Sequence, residues 1–533
     1  MNRREFLRSS SAAAFGLGMP EQLFAQPVNA PARADQTWDA GSVLHILPQV
    51  SDTRMLVKAS FNAPQMSEPS LHVDDAVVRG RRNDTRGEHW EFHITGLQPG
   101  RRYSLSLMGA MGRTLCQPWE LSTFPGRQEQ PKSVRILFFT CAGGHEALKF
   151  LPSAVRNRLF RRALSFKPDA AVANGDHIYW DQLAPFAGVY NTPEAIALAG
   201  GKLDRSGIVI GGDNEDILKR IGRAQIVSIY KTDFRSVPMF FIQDDHDYFD
   251  NDDADDNLVT LPPSWFMLQL ARATQSLYYP EFLPDAARPL GLPWSAAGDR
   301  IGGASECFGT LRYGRLVEVL LYDIRRTQTL AGPSAVYIDV EAEKWLKART
   351  AETDAAHLVH APSNPPGWSA GKWGEWYPDV LGKDNKLTDK VPKPYWQSGW
   401  LKQHDRLVAA MTRMKGRVPL VISGDLHDVA IGRMLRSGTL DLSGNPITAV
   451  LSGPIGTRPA GWPSARRGTG ALPPVHLDMD EEVKPIEQHG FTIVDFTPDK
   501  MVLRLFKWDV KTQSVEDIDT LEPFHTTELP RPV

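Results

Sequence analysis

Pro419-Leu420-Val421-Ile422 is an unbroken apolar run that ends at once in Ser423-Gly424-Asp425-Leu426-His427-Asp428. So short a run, bounded by turn-forming residues, reads as a buried strand. The carboxylates and imidazole just beyond it lie where a rigid scaffold presents functional groups on a loop. Four earlier segments repeat the arrangement. Val134-Arg135-Ile136-Leu137-Phe138-Phe139 leads into Thr140-Cys141-Ala142-Gly143-Gly144-His145, and Ala170-Ala171-Val172-Ala173 into Asn174-Gly175-Asp176-His177-Ile178-Tyr179-Trp180-Asp181. Met239-Phe240-Phe241-Ile242 is followed by Gln243-Asp244-Asp245-His246-Asp247, and Val317-Glu318-Val319-Leu320-Leu321-Tyr322 by Asp323-Ile324-Arg325. Helical spacing falls between several of these runs, at 154–165, 216–232, 341–349 and 401–414. Buried strands alternating with helices predict an α/β layered domain, with ligands outside the carboxyl ends of the strands. One Gly-Asp at a strand end is commonly only a turn. Five ends carrying a thiol, G-D-x-x-Y, D-D-H-D, D-x-R and G-D-x-H bring thiol, phenol, imidazole and carboxylates to one rim.

Outside that domain the chain changes texture. At 533 residues it exceeds one ordinary domain, and 42% hydrophobic content supports a sizeable core. Lys plus Arg number 60 against 63 Asp plus Glu, a net charge of −3, which gives no reason to expect nucleic acid or an anionic membrane as partner. An anionic substrate would need a local positive centre, such as a bound metal. Cys116, Cys141 and Cys307 are too few for a disulfide framework. From 42 to 124 the segments are short and alternating, as in Met55-Leu56-Val57-Lys58-Ala59-Ser60-Phe61, which predicts an all-β sandwich over 38–126. Ile94-Thr95-Gly96-Leu97-Gln98-Pro99-Gly100-Arg101-Arg102-Tyr103 resembles the late corner of a fibronectin type III domain, where a Tyr hydroxyl bonds upstream backbone. We read this sandwich as scaffold and 125–132 as a linker. The acidic run from Asp250 to Asn257 reads as a solvated loop.

The first residues resemble a targeting signal. Asn2-Arg3-Arg4-Glu5-Phe6-Leu7-Arg8 is similar to the twin-arginine export signal, and the apolar run at 12–19 is too short to anchor in a bilayer. Ala32-Arg33-Ala34 best fits the small-x-small cleavage rule, giving a signal over 1–34. The expected partner is the twin-arginine translocase, and the expected location periplasmic or secreted. No later segment has eighteen unbroken apolar residues, so no transmembrane anchor is expected.

The five strand ends together resemble the PhoD-like alkaline phosphatase and phosphodiesterase family of the calcineurin-like metallophosphoesterase fold. The likeness spans Val134 to Trp508, and the stretch from His489 to Pro498 resembles the family's closing strands. It implies a metallophosphatase domain over 131–510, a β-sandwich flanked by helices, then a tail at 511–533. The broader fold carries D-x-H, G-D, G-N-H-D/E, a lone His and G-H-x-H around two metals. Here Cys141 stands at the first motif, Asp245-His246-Asp247 replaces Asn-His-Asp, and Asp425 replaces the first His of the last motif.

These substitutions change the expected metals. Cys141, Asp176, Tyr179 and His427 form a soft-to-borderline set suited to Fe³⁺. A tyrosine of free pKa about 10 needs a strong Lewis acid to ionise near neutral pH. Asp245, Asp425 and Asn251 form an oxygen-rich set suited to Ca²⁺, with Asp176 bridging the two. The resemblance implies the same iron-and-calcium pair, and Zn²⁺ or Mn²⁺ is the alternative. His246, oriented by Asp247, would protonate the leaving alkoxide, and Arg325 would bind a phosphoryl oxygen or serve a structural ion pair. His360, before Ala361-Pro362, is a candidate for the fold's lone His; His145 and His177 lie outside the ligand slots. The expected activity is hydrolysis of small phosphate mono- or diesters by metal-activated water. Its rivals are a non-catalytic cell-surface binding protein on a phosphatase scaffold and a zinc hydrolase of another ester.

Overall fold

A six-stranded sheet is assembled around Val134–Phe139. Ala170–Asn174 and then Met239–Ile242 lie parallel on one side of it, and His489–Thr497, Lys500–Trp508 and His525–Pro530 follow antiparallel on the other. A second sheet has eight strands. Its centre is the parallel set Val317–Tyr322, His357–Pro362, Leu420–Ser423 and Ile447–Ser452. Phe308–Tyr313 closes one side, while Val429–Ser437, Leu440–Asp441 and Leu477–Ile486 extend the other. This computed structural model describes residues 38–180, 193–248, 263–280, 308–372 and 374–532. The export signal at 1–34, the acidic run and Asn251 lie outside the described residues.

Apart from Arg135, the parallel strands are buried at every position because both faces are covered. Side chains alternate along each strand. Leu137 and Phe139 therefore pack with Leu159, Phe160 and Ala163 of the helix Ser153–Ser165, while Ile136 and Phe138, equally buried, point to the opposite face. On the second sheet Leu320, Leu358 and Val421 pack with Trp345, Leu346, Leu407 and Met411 of the helices Val340–Glu352 and Ser398–Thr412. The first of these starts at Asp339, whose carboxylate accepts the N–H groups of Glu341 and Ala342.

The five expected strands are present, three in one sheet and two in the other. The expected helix at 216–232 is Asp213–Gly222 running through a π turn, Arg223–Val227, into Ser228–Tyr230. Trp265–Tyr278 is also helical. The segment read as a tail supplies His525–Pro530, paired to Lys500–Trp508. Its alternating, half-exposed residues gave no apolar run to mark it as an edge strand.

Residues 43–122 form two four-stranded antiparallel sheets. The Gln98 N–H donates to the Tyr103 hydroxyl at 2.7 Å, closing the corner. Lys58 ties this region to the helix Trp265–Tyr278, reaching Glu91 Oε2 at 2.6 Å and the Ser276 carbonyl at 2.9 Å. Among the described residues, no helix is long and apolar enough to cross a membrane.

Candidate metal centre

Four of the expected ligands have left-handed backbones: Cys141 (φ 51°), Asp176 (60°), Asp425 (73°) and His427 (60°). Non-glycine residues adopt that region at a cost and are held there by their surroundings. Two glycines let the loops meet. A Cβ on Gly175 would lie 2.5 Å from the Asp244 Cβ, and one on Gly424 would lie 2.1 Å from the Thr140 hydroxyl.

Asp247 ties the second and third strand ends together. Its Oδ2 accepts the N–H of Asp176 at 2.9 Å and of Asp244 at 3.0 Å. Its Oδ1 accepts those of His177 at 3.0 Å and Ile178 at 3.1 Å. Burial pushes this carboxyl up to about 7 against the pull of the four donors. The expectation that Asp247 orients His246 is thereby corrected: both oxygens are committed to backbone.

The thiol and imidazole converge on Asp176, and the phenol approaches the imidazole. One ligand atom each from Cys141, Asp176 and His427 lies within 4.8 Å of the others. The Cys141 Sγ is 3.2 Å from Asp176 Oδ2, and the Tyr179 hydroxyl is 3.4 Å from His427 Nε2. On its other side the His427 ring has Nδ1 2.8 Å from the Gly461 carbonyl and 3.0 Å from the Thr457 hydroxyl. Donation from Nδ1 to the carbonyl leaves the Nε2 lone pair aimed at the cluster. Burial, with Asp176 beside it, raises the Cys141 thiol well above its ordinary range. Ionising this thiol therefore requires a cation.

Asp176 also belongs to a second group, with Asp245 and His246, and Asp245 to a third, with Asp244 and Asp425; the ligand atoms of each lie within 4.8 Å of one another. The His246 ring lies against Tyr179, centroids 4.1 Å apart, which places it between the two halves of the site. Burial and then Asp245 push the Asp176 carboxyl well up. At Asp245 burial acts upward too, but Lys372, His246 and Arg325 outweigh it and hold the carboxyl below its usual range.

The donor set fits cations on a direct test. Asp176 Oδ1, Asp244 Oδ2 and both oxygens of Asp245 are buried, with no hydrogen-bond donor among the described residues. Buried carboxylate oxygens without donors are costly unless a positive charge compensates them. Arg325, also buried, donates to Asp244 Oδ1 at 2.8 Å and lies 3.9 Å from Asp425 Oδ2 and 4.0 Å from Asp245 Oδ2. It makes the structural ion pair, one of the two roles read for it.

Two rim residues escaped the sequence reading. Asn364 donates to Asp425 Oδ2 at 3.0 Å and accepts from the Tyr337 hydroxyl at 2.6 Å. It follows the strand His357–Pro362 by two residues, so the strand-end rule would have found it. Lys372 contacts Asp425 and lies 3.5 Å from Asp245 Oδ2; it belongs to a Trp-rich stretch with no periodic signal. His360 is excluded as a ligand. Its ring nitrogens lie 3.2 Å from the Tyr322 hydroxyl and 3.1 Å from the Thr350 hydroxyl, on the helix-covered face of the sheet.

Two mixed sheets carrying such a rim at their strand ends make a fold shared with solved phosphatase structures. In particular, the chain is similar over 94% of its length to a solved structure of PhoD, covering 90% of that chain at 12% identity and a TM-score of 0.57. It is also similar over 92% of its length to a purple acid phosphatase, PPD1, from yellow lupin (Lupinus luteus) seeds, covering 75% of that chain at 12% identity and a TM-score of 0.53. No protein-family model and no curated protein sequence matches the chain.

Proposed function

We propose that this chain is an exported, metal-dependent phosphoesterase that hydrolyses small phosphate mono- or diesters. The observation that carries the reading is the position of Asp176, shared between the thiol–imidazole group and the carboxylate–imidazole group. Cys141, Asp176, Tyr179 and His427 would hold Fe³⁺; Asp245 and Asp425, with Asp176 and the Asn251 read from sequence, would hold Ca²⁺. Such a pair of bound cations supplies the electrophilic charge and activated water that ester hydrolysis needs.

The protein's own residues do the rest. Arg325, fixed by Asp244, places its guanidinium charge where it would attract a phosphoryl oxygen. His246, packed against Tyr179, gives a proton to the leaving oxygen. Asp247 holds the Asp176 and Asp244 loops at one spacing, so both donor sets stay in register. The N-terminal pair of sheets serves as fibronectin type III-like scaffold, and the residues at 1–34 direct export.

The test combines elemental analysis with two assays on the full chain, p-nitrophenyl phosphate for monoesters and bis-p-nitrophenyl phosphate for diesters. Iron and calcium together with hydrolysis of either substrate are expected. Metal-replete protein inert on both would point to a binding protein on this fold, and zinc alone would reassign the donor set.

A further inference from the structure

The second half of the site already contains a positive charge on a long, partly exposed side chain. Asp244, Asp245 and Asp425 face two cationic side chains, and those two are held differently. Arg325 is 1% exposed at its side chain and anchored by Asp244 and by the Gly374 carbonyl at 3.3 Å. Lys372 reaches in from a loop, touching Asp425 and lying 3.5 Å from Asp245, with 12% of its side chain exposed.

The loop is built to aim it. The buried Glu375 accepts the Lys372 N–H at 3.1 Å and also the Ser369 hydroxyl, which in turn accepts the Gly371 N–H at 2.9 Å. Gly371 turns the chain at φ 76°. The backbone of Lys372 is therefore fixed, while its ammonium sits on a flexible four-carbon stem that remains connected to solvent.

We propose that Lys372 is an internal competitor for the oxygen-rich cation position: its ammonium pairs with Asp425 and Asp245 in the metal-free protein and is displaced when a divalent cation binds. This rests on the metal-centre reading above. The ammonium offsets one of the carboxylate charges that a divalent ion would otherwise meet at Asp245 and Asp425. Lys372 thereby keeps the carboxylates of the metal-free site from being driven apart by like-charge repulsion, lowers its affinity and makes its cation exchangeable. A second lysine is held by carboxylates elsewhere in the chain: Lys219 lies 2.5 Å from Asp84, 2.8 Å from Glu215 and 3.3 Å from Glu88.

The deciding measurement is calorimetric titration of Ca²⁺ into the chelator-treated full chain, iron retained, for the wild type, Lys372→Met and Lys372→Arg. Removing one cationic competitor at this range should tighten Ca²⁺ binding on the order of ten- to a hundredfold in Lys372→Met, with Lys372→Arg near wild type. Lys372→Gln gives the same readout should the Met variant not fold. Equal or weaker binding in the uncharged variants overturns the competitor role while leaving the metal site standing. Absence of Ca²⁺ binding in every protein overturns the calcium reading and this inference together.

Discussion

The Asp247 carboxylate accepts the backbone N–H of Asp176 at 2.9 Å, so one loop's acid sets the position of the residue on which both donor groups converge. Three further N–H groups share the same carboxylate. In Asp247→Asn the amide offers one acceptor oxygen and turns an NH₂ group toward donors. We expect a loss of about 2–4 kcal/mol of stability, read from urea unfolding, together with loss of bound metal. Unchanged stability and metal content with lost activity would return Asp247 to a direct catalytic role.

His246 should behave in the opposite way. His246→Ala should keep its metals and lose roughly 10²–10⁴-fold in rate on alkyl phosphates, whose leaving groups need a proton. The loss on p-nitrophenyl esters should be much smaller, in the same preparation. Equal losses on both substrates, or loss of metal, would make His246 a ligand of the Asp176–Asp245 group it adjoins.

A phenolate or thiolate on Fe³⁺ produces a ligand-to-metal charge-transfer band, so concentrated protein should be visibly coloured. Tyr179→Phe should shift or weaken the band. Colourless, fully active protein containing only zinc would remove iron from the thiol–phenol–imidazole group.

Part of the acid sensitivity can be assigned to a buried ring away from the metals. Burial lowers His360 from 6.5 to about 3. Between those values the unfolded chain binds a proton that the folded chain refuses. The contribution is therefore complete above pH 6.5 and lost as pH falls toward 3. Relative to His360→Gln, which can still bond the Tyr322 or Thr350 hydroxyl, the wild type should lose up to about 1.4 kcal/mol per pH unit between pH 6 and 4. Parallel stability curves for the two proteins would contradict this.

Replacing both Arg3 and Arg4 with Lys should leave the protein in the cytoplasm with its N-terminus uncut. Fractionation with N-terminal sequencing checks this. Normal accumulation outside the cytoplasm would exclude a twin-arginine signal.

The sequence by itself determined the strands Val134–Phe139, Ala170–Asn174, Met239–Ile242, Val317–Tyr322 and Leu420–Ser423, and the groups that follow them. Both signals are local: an apolar run marks the strand, and a functional side chain within a few residues of its end is carried to the rim wherever that strand pairs. Cys141, Asp176, Tyr179, Asp245, His246, Asp425 and His427 were legible for this reason. Only the tertiary structure decided which sheet each strand joins, because pairing is a contact between segments far apart in the chain. The same limit hid Lys372, which arrives from a loop without periodicity, and the edge strand His525–Pro530, whose half-exposed residues carry almost no apolar pattern. It also reassigned Asp247 and His360. A carboxylate four N–H groups deep in backbone and an imidazole between two hydroxyls are roles set by neighbours in space, and adjacency in sequence does not specify them.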